Sequence, residues 1–421
     1  MGQFSQQNSS FHERKPTPTE VKPDIETFAK IKVLGVGGSG GSAVNRMADA
    51  NVRGVELIAV NTDAQALHNS RAAKKIHIGK TTTRGLGAGM EPDIGRRSAE
   101  ENQEDIEKML KGADMVFLTA GFGGGTGSGA LPVIAEMARD MGALTVAIVT
   151  RPFAFEGAQR KTIADNALNE LQSRVDTVIT IPNDRLLQVI DKKTSLLEAF
   201  SIVDDVLRQG IQGISDLITI PGLINVDFAD VKSVMENAGS ALMGIGVASG
   251  ENRAVEAAKQ AIDSPLLEMS IEGAKGILFT ITGGSNLGMY EVNEAARVIT
   301  ESADSNARII FGSVIDDTMQ DELKVTVVAT GFGPQGKQAT PKIGSMASAP
   351  SPFSARPPRM SRADSQTETL SEFTASPVRK PAANSTPVVE TNRMDPQTPT
   401  GPQTAPEDDI DIPAFIRKKM M

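Results

Sequence analysis

The 421 residues include no cysteine, which excludes disulfides, thiolate metal sites and cysteine nucleophiles. Histidine is scarce: His12, His68 and His77 stand far apart, so no histidine-based metal site is expected. Positive charge is in deficit, with a formal net charge of −9, which argues against non-specific nucleic-acid binding. No apolar run reaches the roughly 18 residues of a membrane span, so no direct membrane insertion is expected. The first residues, MGQFSQQNSSFHERK, lack the apolar core of a secretory signal, and Gln6 breaks the myristoylation pattern. A soluble cytoplasmic protein is the default expectation. Lysine is missing between Lys111 and Lys161, so the glycine-rich stretch in that interval is not a Walker loop.

That stretch, GFGGGTGSG at 121–129, follows the apolar run Met115-Val116-Phe117-Leu118 and precedes a helix-like segment from Leu131. A strand, a glycine loop and a helix in this order present bare backbone N–H groups and a positive helix end to an anion. Thr126 and Ser128 add hydroxyl donors, so a polyphosphate is the natural ligand. A second loop, Gly35-Val36-Gly37-Gly38-Ser39-Gly40, matches GxGxxG after the strand Ile31–Leu34. Alone it admits a nicotinamide-dependent oxidoreductase, with Asp63 as the ribose-binding acid. Two glycine loops on one sheet edge suit a nucleoside triphosphate gripped from both sides. A third glycine turn, Gly85–Gly89, is placed to close over the terminal phosphate.

Strands are expected at 31–34, 55–60, 114–119, 143–149 and 176–181, with helices at 91–110, 129–141 and 158–173. This alternation predicts an α/β fold: a doubly wound parallel-sheet nucleotide-binding domain over 30–195. Leu196, Phe200, Val203, Leu207, Ile211, Ile214 and Ile218 recur at spacings of three and four, predicting a central helix at 196–218. A smaller α+β domain follows over 219–332, with strands at 276–282, 307–314 and 323–330 and helices at 251–262 and 289–303. Polar composition predicts a disordered arm at 1–29 and a disordered linker at 333–407. Residues 408–421 return to an acidic, apolar, then basic order that suits a partner-docking peptide.

Several polar groups carry candidate chemistry. Glu156 can accept from ribose hydroxyls and shares a helix face with Arg160, although an i,i+4 ion pair is the plainer reading. Asn183 and the Asp204-Asp205 pair offer amide and carboxylate groups to a guanine edge. In Asn225-Val226-Asp227-Phe228-Ala229-Asp230, a helix starting near Asp227 puts Asp227 and Asp230 on one face. Two carboxylates so placed can orient a water for phosphoanhydride hydrolysis, while an ordinary helix cap is the plainer reading.

Together GGGTGSG at 123–129, ITIPND at 179–184, PGLINVDFADV at 221–231 and VTVVATG at 325–331 resemble the tubulin/FtsZ family of bacterial cell-division GTPases. The resemblance spans roughly residues 30–332 and reappears at 408–419. It implies GTP or GDP held by Gly38, Ser39, Gly40, Gly41 and Ser42 and by Gly125, Thr126 and Gly127, with magnesium accompanying the nucleotide. Glu156 and Arg160 would face the ribose, and Asn183 and Asp204 the guanine. Asp227 and Asp230, supported by Asn225, would act on the nucleotide of the next subunit in a head-to-tail protofilament. The resemblance further implies a self-assembling GTPase of the cytokinetic ring, at mid-cell on the inner face of the membrane. Residues 408–419 would dock membrane-tethering and regulatory division proteins. Ser39 and Ser42 replace the glycine and asparagine of many members, and Ser128 a frequent threonine, which alters individual contacts.

Overall fold

The computed structural model describes residues 29–332, apart from 189, 191–192, 221 and 268–269. The expected arm before residue 29, the linker at 333–407 and the docking peptide at 408–421 lie outside the described residues. The chain opens with β1 (Ile31–Val36), α1 (Gly37–Asp49), β2 (Val55–Asn61), α2 (Ala64–Asn69), β3 (Lys74–His77) and α3 (Lys80–Thr83). Next come α4 (Pro92–Glu101), α5 (Gln103–Leu110), β4 (Met115–Gly121), α6 (Gly125–Asp140) and β5 (Leu144–Arg151). A 3-10 turn at Ala154–Glu156 leads to α7 (Ala158–Gln172), β6 (Thr177–Pro182), α8 (Asn183–Leu186) and the long α9 (Leu196–Thr219). The remainder is α10 (Phe228–Met235), β7 (Gly239–Ser249), α11 (Arg253–Ile262), β8 (Gly276–Gly283), α12 (Met289–Glu301), β9 (Arg308–Ile315) and β10 (Glu322–Thr330).

Among the described residues the strands form one sheet in the order β3-β2-β1-β4-β5-β6-β7-β10-β8-β9. The first seven run parallel, and β10 is antiparallel to both neighbours. Alternate residues of the parallel strands feed two layers. Val33, Phe117, Val146 and Ile179 pack with α1, α9 and α10, while Leu34, Leu118, Ala147 and Val178 pack with α4 to α7. Helices on both faces complete the doubly wound arrangement. α11 and α12 cover Ile277, Phe279, Val325 and Val327 in a third cluster. Leu278 and Val328, pointing the other way, join the α9 layer, so that helix is sandwiched between both halves of the sheet.

The structure departs from the sequence expectation at identifiable points. The single helix expected over 91–110 is two, broken at Asn102, whose Oδ1 accepts from Gly79 N at 2.8 Å. α6 begins at Gly125, four residues early, because helical glycines let it press against the chain beside it. A Cβ on Gly129 would lie 1.9 Å from Pro92 O. β7 was not foreseen, since glycine depresses strand propensity. Gly244 and Gly246 serve close packing instead: a Cβ on them would lie 1.9 and 2.1 Å from Ala261 O and Ala257 O of α11. The face expected on α9 also frays, for Leu196 and Phe200 are exposed while Val203 through Ile214 are buried.

Candidate nucleotide site

The loops at the carboxyl ends of β1, β4, β5 and β6 surround a cavity of about 530 Å³. This is the edge where parallel α/β sheets place ligands. α1 and α6 both start there, so two positive helix ends converge on one space. Gly38, Ser39 and Ser42 line it from one side and Gly125, Thr126 and Gly127 from the other. Both glycine loops therefore open on this one cavity, in an arrangement suited to an anion.

Not every expected group reaches it. Gly40 is a packing glycine, since a Cβ there would lie 2.4 Å from Thr119 O, and neither it nor Gly41 lines the cavity. Ser128 is buried in the first turn of α6, where its hydroxyl accepts from Gly123 N at 3.0 Å. It is 1% exposed and does not line the cavity, so it is not placed as the ligand donor its position in the glycine run suggested. Asp63 caps α2, accepting from Gln65 N and Ala66 N at 2.8 and 3.1 Å, and does not line the cavity. Gly89, from the third glycine turn, does line it.

The other end of the cavity carries the remaining expected groups. Glu156 and Arg160 line it while paired at 3.1 Å, so the ion pair and the site are the same feature. Glu156 Oε1 also accepts from Phe153 N at 2.9 Å, which fixes the carboxylate over the turn. Asn183 is 5% exposed, and its Oδ1 has no partner among the described residues. A buried amide oxygen left unpaired is costly, and a ligand donor would satisfy it. Burial pushes the Asp204 carboxyl up to about 6, against Arg46, whose Nε lies 3.7 Å away. On Asp205 burial also acts upward, but hydrogen bonds from Arg208 and Gln209 outweigh it and hold the group below its usual value. Asp205 is thus committed to its own helix, and only Asp204 lines the cavity. Sequence reasoning missed Phe200 as a cavity group, because its spacing assigned it to the core face of α9. Its ring meets Phe153 edge-on at 5.6 Å and lines the cavity.

Asn225, Asp227 and Asp230 do not line this cavity. α9 leads away from it: Leu217 lies thirteen helical steps beyond Asp204, about 20 Å along the axis. There a Cβ on Gly312 would lie 2.5 Å from Leu217 and 3.2 Å from Val226, and Ser313 N donates to Ile224 O at 3.1 Å, which holds the 222–227 loop near the far end of the helix. Asn225 Oδ1 accepts from Gly222 N at 2.6 Å, closing the loop. Asp227 caps α10, with Oδ1 accepting from Asp230 N at 2.7 Å. Both acids are exposed, and the Asp230 carboxylate has no hydrogen-bond or ion-pair partner among the described residues. Among those residues no cluster of three or more His, Cys, Asp or Glu could hold a metal ion.

Comparison with known proteins agrees with this geometry. Residues 30–191 match the Tubulin/FtsZ family GTPase domain, and residues 239–333 match the FtsZ family C-terminal domain. An empty FtsZ dimer from M. jannaschii is 45% identical, covering 72% of this chain and 89% of that one, with a TM-score of 0.71. CetZ2 from Haloferax volcanii, in a GTPγS-bound protofilament, shares the fold at 21% identity and a TM-score of 0.62, covering 72% of this chain and 93% of that one. CetZ1 from the same organism, a GDP-bound monomer, does so at 19% and 0.63, covering 72% and 94%. By its two domains and its likeness to FtsZ, this chain belongs to the tubulin/FtsZ family and is a GTPase.

Proposed function

We propose that the protein polymerises head-to-tail and hydrolyses GTP at each junction, with the cavity of one subunit completed by the acids of the next. The observation that carries this reading is the separation of the two halves of the chemistry along α9. Asp227 and Asp230 cannot act on the cavity of their own subunit from the far end of that helix. A second copy stacked end-on brings its acids over the first copy's phosphates. Exposed apolar side chains stand at both ends: Leu196 and Leu197 beside the cavity, Leu223 beside the acids.

Within the cavity, backbone N–H groups of the α1 and α6 starts hold the phosphates, with hydroxyls of Ser39, Ser42 and Thr126. Glu156 and Arg160 meet the ribose. Asp204 accepts from guanine N1–H and its exocyclic amine, a donor pair that adenine lacks, and Asn183 reads the same edge. Asp230 and the uncommitted oxygen of Asp227 orient the water that attacks the γ-phosphorus, and Asn225 holds their loop closed. Loss of the γ-phosphate weakens the junction, so filaments turn over. This activity suits a cytoplasmic division ring at mid-cell, on the inner face of the membrane. Residues 408–419 would link that ring to tethering and regulatory proteins.

The test is the concentration dependence of turnover. GTP hydrolysis per subunit, followed as phosphate release, is expected to rise steeply with protein concentration. A constant value across two decades of dilution would refute the shared site.

A further inference from the structure

Asn61-Thr62-Asp63 ends β2, and the site described above gives Thr62 no role. Its side chain is fully buried, yet its hydroxyl lies 2.7 Å from that of Thr126, which faces the cavity. Among the described residues the Thr62 hydroxyl meets no other acceptor, and burial denies it water. A hydroxyl carries one proton and can accept as well. The Thr62 proton therefore has one place to go, the Thr126 oxygen. Once Thr126 accepts it, the Thr126 proton is free to point into the cavity, toward an anionic oxygen.

We infer that Thr62 is a positioning residue for nucleotide binding: its buried hydroxyl donates to Thr126 and turns the Thr126 proton onto the bound phosphates. This rests on the reading of the cavity as the GTP site. The chain of donors polarises in one direction, Thr62 to Thr126 to phosphate, which strengthens the terminal bond.

Thr62 also joins the cradle to the third glycine turn. The Thr83 hydroxyl lies 3.2 Å from the Thr62 carbonyl and 3.0 Å from the Gly79 carbonyl, its proton shared between the two, and it accepts from Gly85 N at 3.2 Å. Gly125 N donates to Gly89 O at 2.8 Å, so the turn is tied at both ends to the first turn of α6 and the end of β2. The link through Thr62 uses its backbone, which a side-chain substitution leaves in place. Changing the hydroxyl therefore isolates the proton relay from the anchoring of the turn.

The experiment titrates GDP and GTP into the nucleotide-stripped full chain, with thermal midpoints measured on the same samples. Thr62→Val is expected to weaken both nucleotides about tenfold, the loss of one well-directed hydrogen bond to a charged group. Thr62→Ser is expected to restore near-normal affinity, and Thr62→Val added to Thr126→Val should cost nothing beyond Thr126→Val alone. Equal affinity of Thr62→Val and the unchanged protein would overturn the relay, as would a Thr62→Ser loss matching that of valine, or additive losses in the double variant. Should Thr62→Val not fold, Thr62→Ala carries the same readouts without adding bulk. If the unchanged protein binds neither nucleotide, the cavity itself has been misread, and the relay falls with it.

Discussion

Asp204 holds its proton more tightly in the folded chain than an exposed aspartate would, because burial at the cavity outweighs the nearby Arg46. With the folded pKa raised from 3.8 to about 6, this group's contribution to stability is fully present below pH 4 and is lost as pH rises toward 6. Under the proposed function guanine recognition runs the other way, since only the ionised carboxylate offers both oxygens as acceptors to the base's two donors. GDP affinity is therefore expected to fall by about tenfold between pH 7 and pH 5. Asp204→Asn should bind more weakly at pH 7 and lack that component of the pH profile. The difference between the two profiles removes the titration of the nucleotide's own phosphates. Parallel curves for the two proteins would show that Asp204 does not read the base. Asp205, one residue on, makes the contrast: adjacent in sequence, it is spent on Arg208 and Gln209.

At the scale of elements, β7 joins the two halves of the sheet. Gly239, Ser240 and Ala241 pair with β6, while Leu242–Ser249 pair with β10. It tolerates its glycines because α11 lies directly on them. Gly246→Ala would force its Cβ into Ala257 O and should destabilise the chain by about 1–3 kcal/mol, read as a lower urea midpoint. An unchanged midpoint would mean that α11 shifts freely. α9 was legible from its apolar spacing alone, since a long helix buried on one face must repeat every 3.6 residues. The break at Asn102 was not, because it depends on an amide reaching Gly79, 23 residues upstream.

At the scale of the molecule, the cavity and the acids lie apart along α9, and under the proposed function a contact that joins one copy's cavity to another's acids is head-to-tail. Two defective chains should then complement. Gly124 lines the cavity with open space where a Cβ would stand, so Gly124→Glu puts a carboxylate among the phosphates without a clash. Asp230→Asn removes the partnerless acid while the backbone N–H that Asp227 caps remains. Each alone should turn over at least about a hundredfold more slowly, an effect of the size that loss of a general base produces. Mixed in equal amounts they should regain measurable phosphate release, because one junction type pairs a sound cavity with a sound acid. Absence of recovery in mixtures that demonstrably copolymerise would overturn the shared site.

Residue types, spacing and periodicity by themselves determined the two anion-binding glycine runs, the parallel α/β order and the long central helix, since these depend on neighbours within a few residues. The tertiary structure alone decided which groups face the ligand. Gly40 and Ser128 look like cradle residues yet do not line the cavity, while Phe200 looks like core yet does. It also decided that Asn183 is buried with an unpaired oxygen and that Asp227 and Asp230 do not line the cavity. Such facts depend on contacts between residues tens to hundreds of positions apart, and a linear pattern carries no distance between them.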